Sequence, residues 1–176
     1  LYGRVSLSAG VREMAYLCKA ATPAEVEEKW NEACRLHSDK NNEVWRAEFI
    51  SYARNGQLVS YYGMLDGARI CETTAMLDRN IVQNSEGLAD AQTAYLCAFH
   101  TQEAYRSKGY FSGLFRFMLA DLKQRGYTRV TLGVEPGETE TLQIYRHLGF
   151  HTYLKSAMET YPDGTGIAVD YYGRDI

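Results

Sequence analysis

The chain has 176 residues, of which 45% are hydrophobic and 23% charged, and its formal net charge is −3. These values are typical of one soluble domain with a hydrophobic core, and we expect a single domain over residues 1–176, with residues 1–10 as a tag or a disordered start. The slightly acidic balance argues against a nucleic-acid partner, and no apolar run is long enough to span a bilayer.

Cysteine usage indicates the compartment. The four cysteines lie in apolar segments and form no CxxC pair, which is typical of reduced, buried thiols in a cytoplasmic protein. No charged, apolar and then small-residue pattern opens the chain, as it would in a secretory signal. The histidines are too scattered along the chain for a metal site, so we expect no metal.

The first half of the chain predicts a strand, two helices and a hairpin. The strand covers residues 12–20, and "TPAE" from Thr22 has the N-cap, proline and glutamate of a capping box. Apolar residues at helical spacing follow it, and a second helix is predicted over residues 44–54. Two strand-like runs then flank Asp66-Gly67, a dipeptide that favours a tight hairpin turn.

The second half predicts strands that alternate with helices. A nearly continuous apolar strand at 93–101 is followed by a helix, a strand at 127–134, a short helix and two closing strands. A strand–helix–strand connection makes its two strands parallel. The predicted fold class is therefore α+β, with a mixed sheet that contains one parallel pair.

The turn between strand 93–101 and the following helix, predicted at 112–125, has the features of an anion site. It reads "YRSKGYFSGLF" from Tyr105, with two cations and Gly109 before an apolar helix. Unpaired N–H groups at a helix N-terminus favour a phosphate. The segment fails the Walker pattern, because Leu114 follows Gly113, and it fails the Rossmann pattern as well. Arg106 and Gly109 fit a third pattern, [Q/R]xxGx[G/A], although Phe111 departs from it.

With these residues, "AFHTQEAYRSKGYFSGLF" from Ala98 and "LQIYRHLGF" from Leu142, the chain resembles the GNAT superfamily of acyl-CoA N-acyltransferases over about residues 14–173. The resemblance implies a mixed central sheet flanked by helices, in which parallel strands 93–101 and 127–134 splay apart. It also implies acetyl-CoA as the co-substrate and an amine of a small molecule or peptide as the acceptor.

The same resemblance implies the residues that bind coenzyme A. They lie on the splayed strand, in the loop and in the first helical turn, and they are Phe99, His100, Thr101, Arg106, Ser107, Lys108, Gly109, Tyr110, Phe111 and Ser112. Phe111 stands where the family usually has Gly or Ala, but backbone donors survive a side-chain change. Glu138 occupies a position where an Asn often contacts the cofactor.

Tyr145 matches the tyrosine of the family's "LYxxxGF" ending, which contacts the cofactor and protonates the leaving thiolate. A packing role on the apolar face of a short helix is compatible with that role. For the general base, Glu72 on the hairpin is the first candidate. The alternative interpretation is that Glu72 is only a solvent-facing strand residue. Glu103, His100 and a water relay stay open.

The sequence therefore predicts an N-acetyltransferase in which an amine attacks the thioester directly within a ternary complex. The alternative is a catalytically inactive acyl-CoA-binding or sensing module of the same fold. A nucleoside-triphosphate enzyme is disfavoured because the Lys-Ser/Thr pair is missing. Neither the acceptor nor the length of the acyl group can be read from the sequence. The family includes homodimers, and the sequence leaves the oligomeric state open.

Overall fold

The computed structural model describes residues 15–176, so the predicted strand start at 12–14 and the expectation for residues 1–10 lie outside the described residues. The described part contains seven strands and four helices. In chain order they are β1 (Tyr16–Ala20), α1 (Pro23–Leu36), α2 (Lys40–Arg54), β2 (Leu58–Leu65), β3 (Ala68–Met76), β4 (Thr93–Thr101), α3 (Tyr110–Gln124), β5 (Arg129–Val134), α4 (Thr139–His147), β6 (Thr152–Thr160) and β7 (Gly166–Asp175).

All seven strands form one sheet in the order β1-β2-β3-β4-β5-β7-β6. Every neighbouring pair is antiparallel except β4 and β5, which are parallel as predicted. That pairing runs only from Thr93–Arg129 to Leu96–Leu132. Two residues later Ala98 has a φ of 55°, and such a left-handed residue interrupts a strand. The predicted mixed sheet with splayed parallel strands is confirmed.

The capping signals decide where the first two helices begin. At α1 the predicted capping box is present, with the Glu25 carboxylate accepting from Thr22 N at 2.8 Å. Helix α2 begins at Lys40, four residues before the predicted start at 44. The Asp39 carboxylate accepts from Asn42 N at 2.8 Å, which makes the polar first turn helical before the apolar repeat begins. Our prediction was wrong here because it relied on the apolar repeat.

Two groups of buried side chains hold the helices to the sheet. Leu114, Met118 and Leu122 of α3 pack with strand residues in one cluster, and Trp30 of α1 packs with Phe49 of α2 in another. Adjacent side chains of β2 point to opposite faces of the sheet, as strand alternation requires, so the strand contributes to both clusters. In the described part of the chain, no helix is both long and apolar enough to cross a membrane.

Candidate active site

The splay between β4 and β5 opens one edge of β4. On its other edge β4 stays paired with β3, with His100 opposite Glu72 and Thr101 opposite Cys71. Past Leu96 the edge that faces β5 has no strand partner. Backbone groups on that edge are therefore free to hydrogen-bond a bound molecule.

The loop after β4 folds back on the strand. Arg106 Nε donates to the Thr101 carbonyl at 3.1 Å, which closes the loop against the end of β4. Two residues then adopt left-handed backbone conformations, Ser107 with φ 58° and Gly109 with φ 82°. Left-handed residues turn the backbone sharply and can direct neighbouring N–H groups into a concave anion site.

Helix α3 begins at Tyr110, directly after Gly109 and two residues before the predicted start at Ser112. The first intrahelical bond runs from Gly113 N to Gly109 O at 3.1 Å. The N–H groups of Tyr110, Phe111 and Ser112 therefore have no intrahelical acceptor. Together with the helix dipole they form a positive end that attracts an anion.

Tyr16 of β1 supports this first turn, a role that the sequence analysis missed. Its hydroxyl donates to the Tyr110 carbonyl at 2.7 Å, and the two rings lie 4.8 Å apart. A Cβ on Gly113 would come within 3.4 Å of the Tyr16 ring, and a Cβ on Gly63 would lie 2.4 Å from the Tyr16 hydroxyl. Gly63 thus leaves room for the tyrosine that holds the start of α3, whereas 3.4 Å at Gly113 is close to an ordinary contact.

Gly109→Ala tests the prediction that this loop binds coenzyme A. The change should weaken that binding about fivefold to tenfold, because a left-handed alanine costs roughly 1–2 kcal/mol and shifts the neighbouring N–H groups. The measurement is isothermal titration calorimetry. Gly67→Ala is the matched control, since Gly67 has φ 84° and equally open surroundings at the hairpin turn. It should lower the free energy of unfolding similarly and leave the affinity unchanged; equal affinity losses would contradict the prediction.

A cavity of about 540 Å³ lies between this loop and α4. Most of the predicted coenzyme A residues line it, namely Phe99, His100, Thr101, Arg106, Ser107, Gly109, Tyr110, Phe111, Ser112 and Tyr145. Lys108 does not, and its ammonium lies 5.9 Å from the Tyr105 ring. Glu138 does not line it either, but belongs to a smaller cavity beyond Tyr145.

Tyr145 stands between the two cavities and lines both. Its ring packs edge-on against Phe99 at 5.4 Å and contacts Phe150 at 6.4 Å, so it has the packing role considered above. Burial, with a smaller contribution from the Glu138 carboxylate, raises the pKa of Tyr145 to about 12. The hydroxyl therefore stays protonated at neutral pH and is available as a donor.

The predicted base, Glu72, lies in a third cavity of about 360 Å³ on the α1 side. Its carboxylate is 3.2 Å from the Lys29 ammonium and 3.4 Å from Arg69 Nε, and the side chain is only 13% exposed. It is thus an ion-paired residue rather than a solvent-facing one. His100, its neighbour on β4, lines both this cavity and the large one, whereas Glu103 lies exposed in the loop.

The smaller cavity, of about 210 Å³, is lined by three carboxylates, those of Glu135, Glu138 and Glu159. Glu159 of β6 accepts a hydrogen bond from the Tyr171 hydroxyl at 2.7 Å. The sequence analysis missed Glu135 and Glu159. In the sequence, the end of α4 and most of β6 separate Tyr145 from Glu159. Only the order of the strands in the sheet brings the two residues to one cavity.

The fold, with a cavity where its two parallel strands separate, can now be compared with known families. The sequence model of the acetyltransferase (GNAT) family matches residues 13–150, and the chain belongs to that family. No curated protein matches the sequence.

Solved structures with the same fold include several acetyltransferases. NAA60 from Arabidopsis thaliana in complex with acetyl-CoA is 16% identical, with a TM-score of 0.64 over 92% of this chain and 99% of that one. The ribosomal-protein-alanine N-acetyltransferase from Brucella melitensis is 12% identical, with a TM-score of 0.62 over 91% and 99%. The ribosomal-protein-S18-alanine N-acetyltransferase from Escherichia coli is 13% identical, with a TM-score of 0.63 over 92% and 94%. At these identities the likeness shows the fold.

Proposed function

We propose that the protein is an N-acetyltransferase that moves an acetyl group from acetyl-CoA to a primary amine. One observation carries this proposal. The unpaired N–H groups at the start of α3 and the Tyr145 hydroxyl belong to the same cavity, which runs along the free edge of β4. A diphosphate at one end would place a thioester near the other.

Different groups of the chain would bind the cofactor and donate the proton. Backbone N–H groups between Ser107 and Ser112 would bind the diphosphate, and the open edge of β4 at Phe99 and Thr101 would bind the pantetheine and the acyl carbonyl. Oxyanion stabilisation by such backbone donors contributes about 3–4 kcal/mol. As the amine nitrogen bonds to the acyl carbon and the carbon–sulfur bond breaks, Tyr145 would donate to the sulfur.

The raised pKa of Tyr145 limits how early its proton can move. A thiol has a pKa of about 8.5, so a phenol with a pKa of about 12 is roughly 3.5 units, or about 5 kcal/mol, uphill as a donor. Full transfer before the sulfur leaves is therefore too costly. The hydroxyl would instead donate a hydrogen bond that becomes a transferred proton as the thiolate forms.

The amine must lose a proton, and two carboxylates are proposed to accept it. Glu72 faces His100 across β3 and β4, so a proton would reach it past the imidazole. Glu159 shares a cavity with Tyr145, which makes it a second candidate. A change of Glu to Gln at the true base should lower kcat while leaving coenzyme A binding intact, and the loss should shrink as the pH rises and the amine deprotonates without help.

Ionisation of Tyr145 should not lower the reaction rate at moderately alkaline pH. Because the pKa of Tyr145 is raised to about 12, the protonated, donating form predominates until the pH approaches that value and is lost only above it. The rate should therefore rise with pH as the amine deprotonates, and it should not decline at any pH up to about 11. Measurement of kcat/KM for the acceptor from about pH 6 to 10 checks this. A fall above about pH 8 that disappears in Tyr145→Phe would refute it.

The proposed function is tested by calorimetry with coenzyme A, together with thiol release from acetyl-CoA over a panel of amines. Binding and amine-dependent thiol release support it. Tight binding with no amine-dependent release would favour the non-catalytic module. If neither coenzyme A nor acetyl-CoA gives any heat, both alternatives fail.

A further inference from the structure

Tyr16, on the edge strand β1, is bound to the first residue of α3. Its hydroxyl donates to the Tyr110 carbonyl at 2.7 Å, and its ring packs on the Tyr110 ring at 4.8 Å. The lining of the large cavity includes Tyr110 but not Tyr16. The Tyr16 hydroxyl can therefore act on a molecule in that cavity only through Tyr110.

The Tyr110 carbonyl belongs to the same peptide unit as the Phe111 N–H. That unit is planar and trans, so its C=O and N–H point in opposite directions and turn together. The Phe111 N–H is one of the three groups at the start of α3 that have no intrahelical acceptor, and Phe111 lines the large cavity. A hydroxyl that fixes the Tyr110 oxygen therefore also fixes the direction of this donor.

A thiol extends this contact into a chain of hydrogen bonds. The Tyr16 hydroxyl has one proton and the Tyr110 carbonyl can only accept, so the proton lies between these two oxygens. The Cys71 sulfur is 3.4 Å from the same hydroxyl, and its thiol must then be the donor to the Tyr16 oxygen. Burial raises the pKa of Cys71 and, together with the hydrogen bond to Cys71, raises the pKa of Tyr16, so both protons stay in place at neutral pH. Hydrogen bonds in such a chain polarise one another, which strengthens the Phe111 N–H as a donor.

Gly63 of β2 leaves the space in which this chain forms. It lies opposite Cys71 in the pairing of β2 with β3. A Cβ on Gly63 would overlap both the Tyr16 hydroxyl and the Cys71 sulfur. Any larger residue at this position would displace at least one of the two side chains, so the contact between Tyr16 and the start of α3 depends on a glycine here.

We propose that Tyr16 is a positioning residue for the cofactor. By fixing the peptide unit between Tyr110 and Phe111, it directs the Phe111 N–H toward the diphosphate of coenzyme A. This inference rests on the proposed function, because it takes the start of α3 as the diphosphate site. The Tyr16 hydroxyl then sets the affinity for the cofactor and not the rate of acetyl transfer, and its effect is confined to donors that carry the diphosphate.

Tyr16→Phe tests this role, because it removes the hydroxyl and keeps the ring against Tyr110. We expect the dissociation constant for coenzyme A, measured by calorimetry, to rise about fivefold to tenfold, the usual effect of weakening one hydrogen bond to a charged group. At saturating acetyl-CoA, kcat should stay within about twofold. S-acetylpantetheine lacks the diphosphate, so kcat/KM for this donor should not change, and the acetyl-CoA-to-S-acetylpantetheine ratio of kcat/KM should fall about fivefold to tenfold.

Tyr61→Phe is the matched control. The Tyr61 hydroxyl also bonds α3, donating to the Asp121 carboxylate at 2.7 Å, but it does so near the other end of the helix. This change should lower the urea midpoint at least as much as Tyr16→Phe and leave the coenzyme A affinity unchanged. Cys71→Ala is a second variant, which removes only the far member of the hydrogen-bond chain. It should raise the dissociation constant about twofold in the unmodified protein and have no further effect in Tyr16→Phe, as expected for members of one network.

The outcomes separate this inference from the proposed function. Unchanged coenzyme A affinity in Tyr16→Phe, or equal losses in Tyr16→Phe and Tyr61→Phe, would overturn the role of Tyr16 and leave the transferase intact. Equal losses of kcat/KM with acetyl-CoA and S-acetylpantetheine would overturn it as well, because the effect would not arise at the diphosphate. Affinity that falls in Tyr16→Phe but not in Tyr61→Phe, in a protein without amine-dependent thiol release, supports the inference and refutes the transferase. No heat from coenzyme A with the unmodified protein refutes both.

Discussion

Tyr145→Phe should lower kcat about 10²-fold to 10³-fold and change the dissociation constant for coenzyme A by less than about threefold. The phenyl ring keeps the packing against Phe99 and Phe150, so only the hydroxyl is removed. Loss of a positioned general acid typically costs 10²–10⁴ in rate. Stopped-assay thiol release at saturating amine gives kcat, and titration calorimetry gives the affinity.

Stability distinguishes a chemical role of Tyr145 from a structural one. No hydrogen bond in the described residues involves the Tyr145 hydroxyl, so its loss should change the free energy of unfolding by less than about 0.5 kcal/mol. Tyr153→Phe is a control for loss of a phenol outside the site, because Tyr153 is 55% exposed on β6, bonds Ser156 Oγ at 2.8 Å and lines neither cavity; it should leave kcat unchanged. If Tyr145→Phe keeps the kcat of the unmodified protein, Tyr145 has only a packing role.

The sequence predicted features whose signals lie within a few residues. The capping box at Thr22, the Asp66-Gly67 turn and the bounds of β4 all match the structure. The capping box and the turn depend on contacts between residues close in sequence, and the bounds of β4 follow its continuous apolar run. The start of α3 was off by two residues, because the apolar repeat does not reveal that a left-handed Gly109 ends the loop.

Features that depend on strand order were not predicted. Tyr16 reaches Tyr110 across 94 positions of sequence, and Glu159 reaches the Tyr145 cavity because β7 lies between β5 and β6. No local pattern specifies which strand lies beside which, so the acidic cavity had no signal in the sequence. Glu72 was placed on the correct strand, but its ion pairs with Lys29 and Arg69 come from helix packing.

Phe150→Ala should lower the free energy of unfolding by about 3–5 kcal/mol, the usual cost of emptying a buried aromatic site. Phe150 is fully buried and lies 6.1 Å from Phe115 of α3 and 6.4 Å from Tyr145, so the cavity would open where α3 and α4 meet. Urea unfolding measures the change. Phe117→Ala, on the 37% exposed Phe117 of α3, should cost about 1 kcal/mol or less, and equal losses would refute the assignment.

The same residue links stability to the candidate site, and Phe150→Leu tests that link in a chain that still folds. A leucine keeps most of the volume and should cost about 1–2 kcal/mol, but it removes the ring that backs Tyr145. With Tyr145 less firmly held, kcat should fall about tenfold while coenzyme A affinity stays within about threefold, since Phe150 does not line the large cavity. Unchanged kcat at the reduced stability would show that Tyr145 is positioned by Phe99 alone.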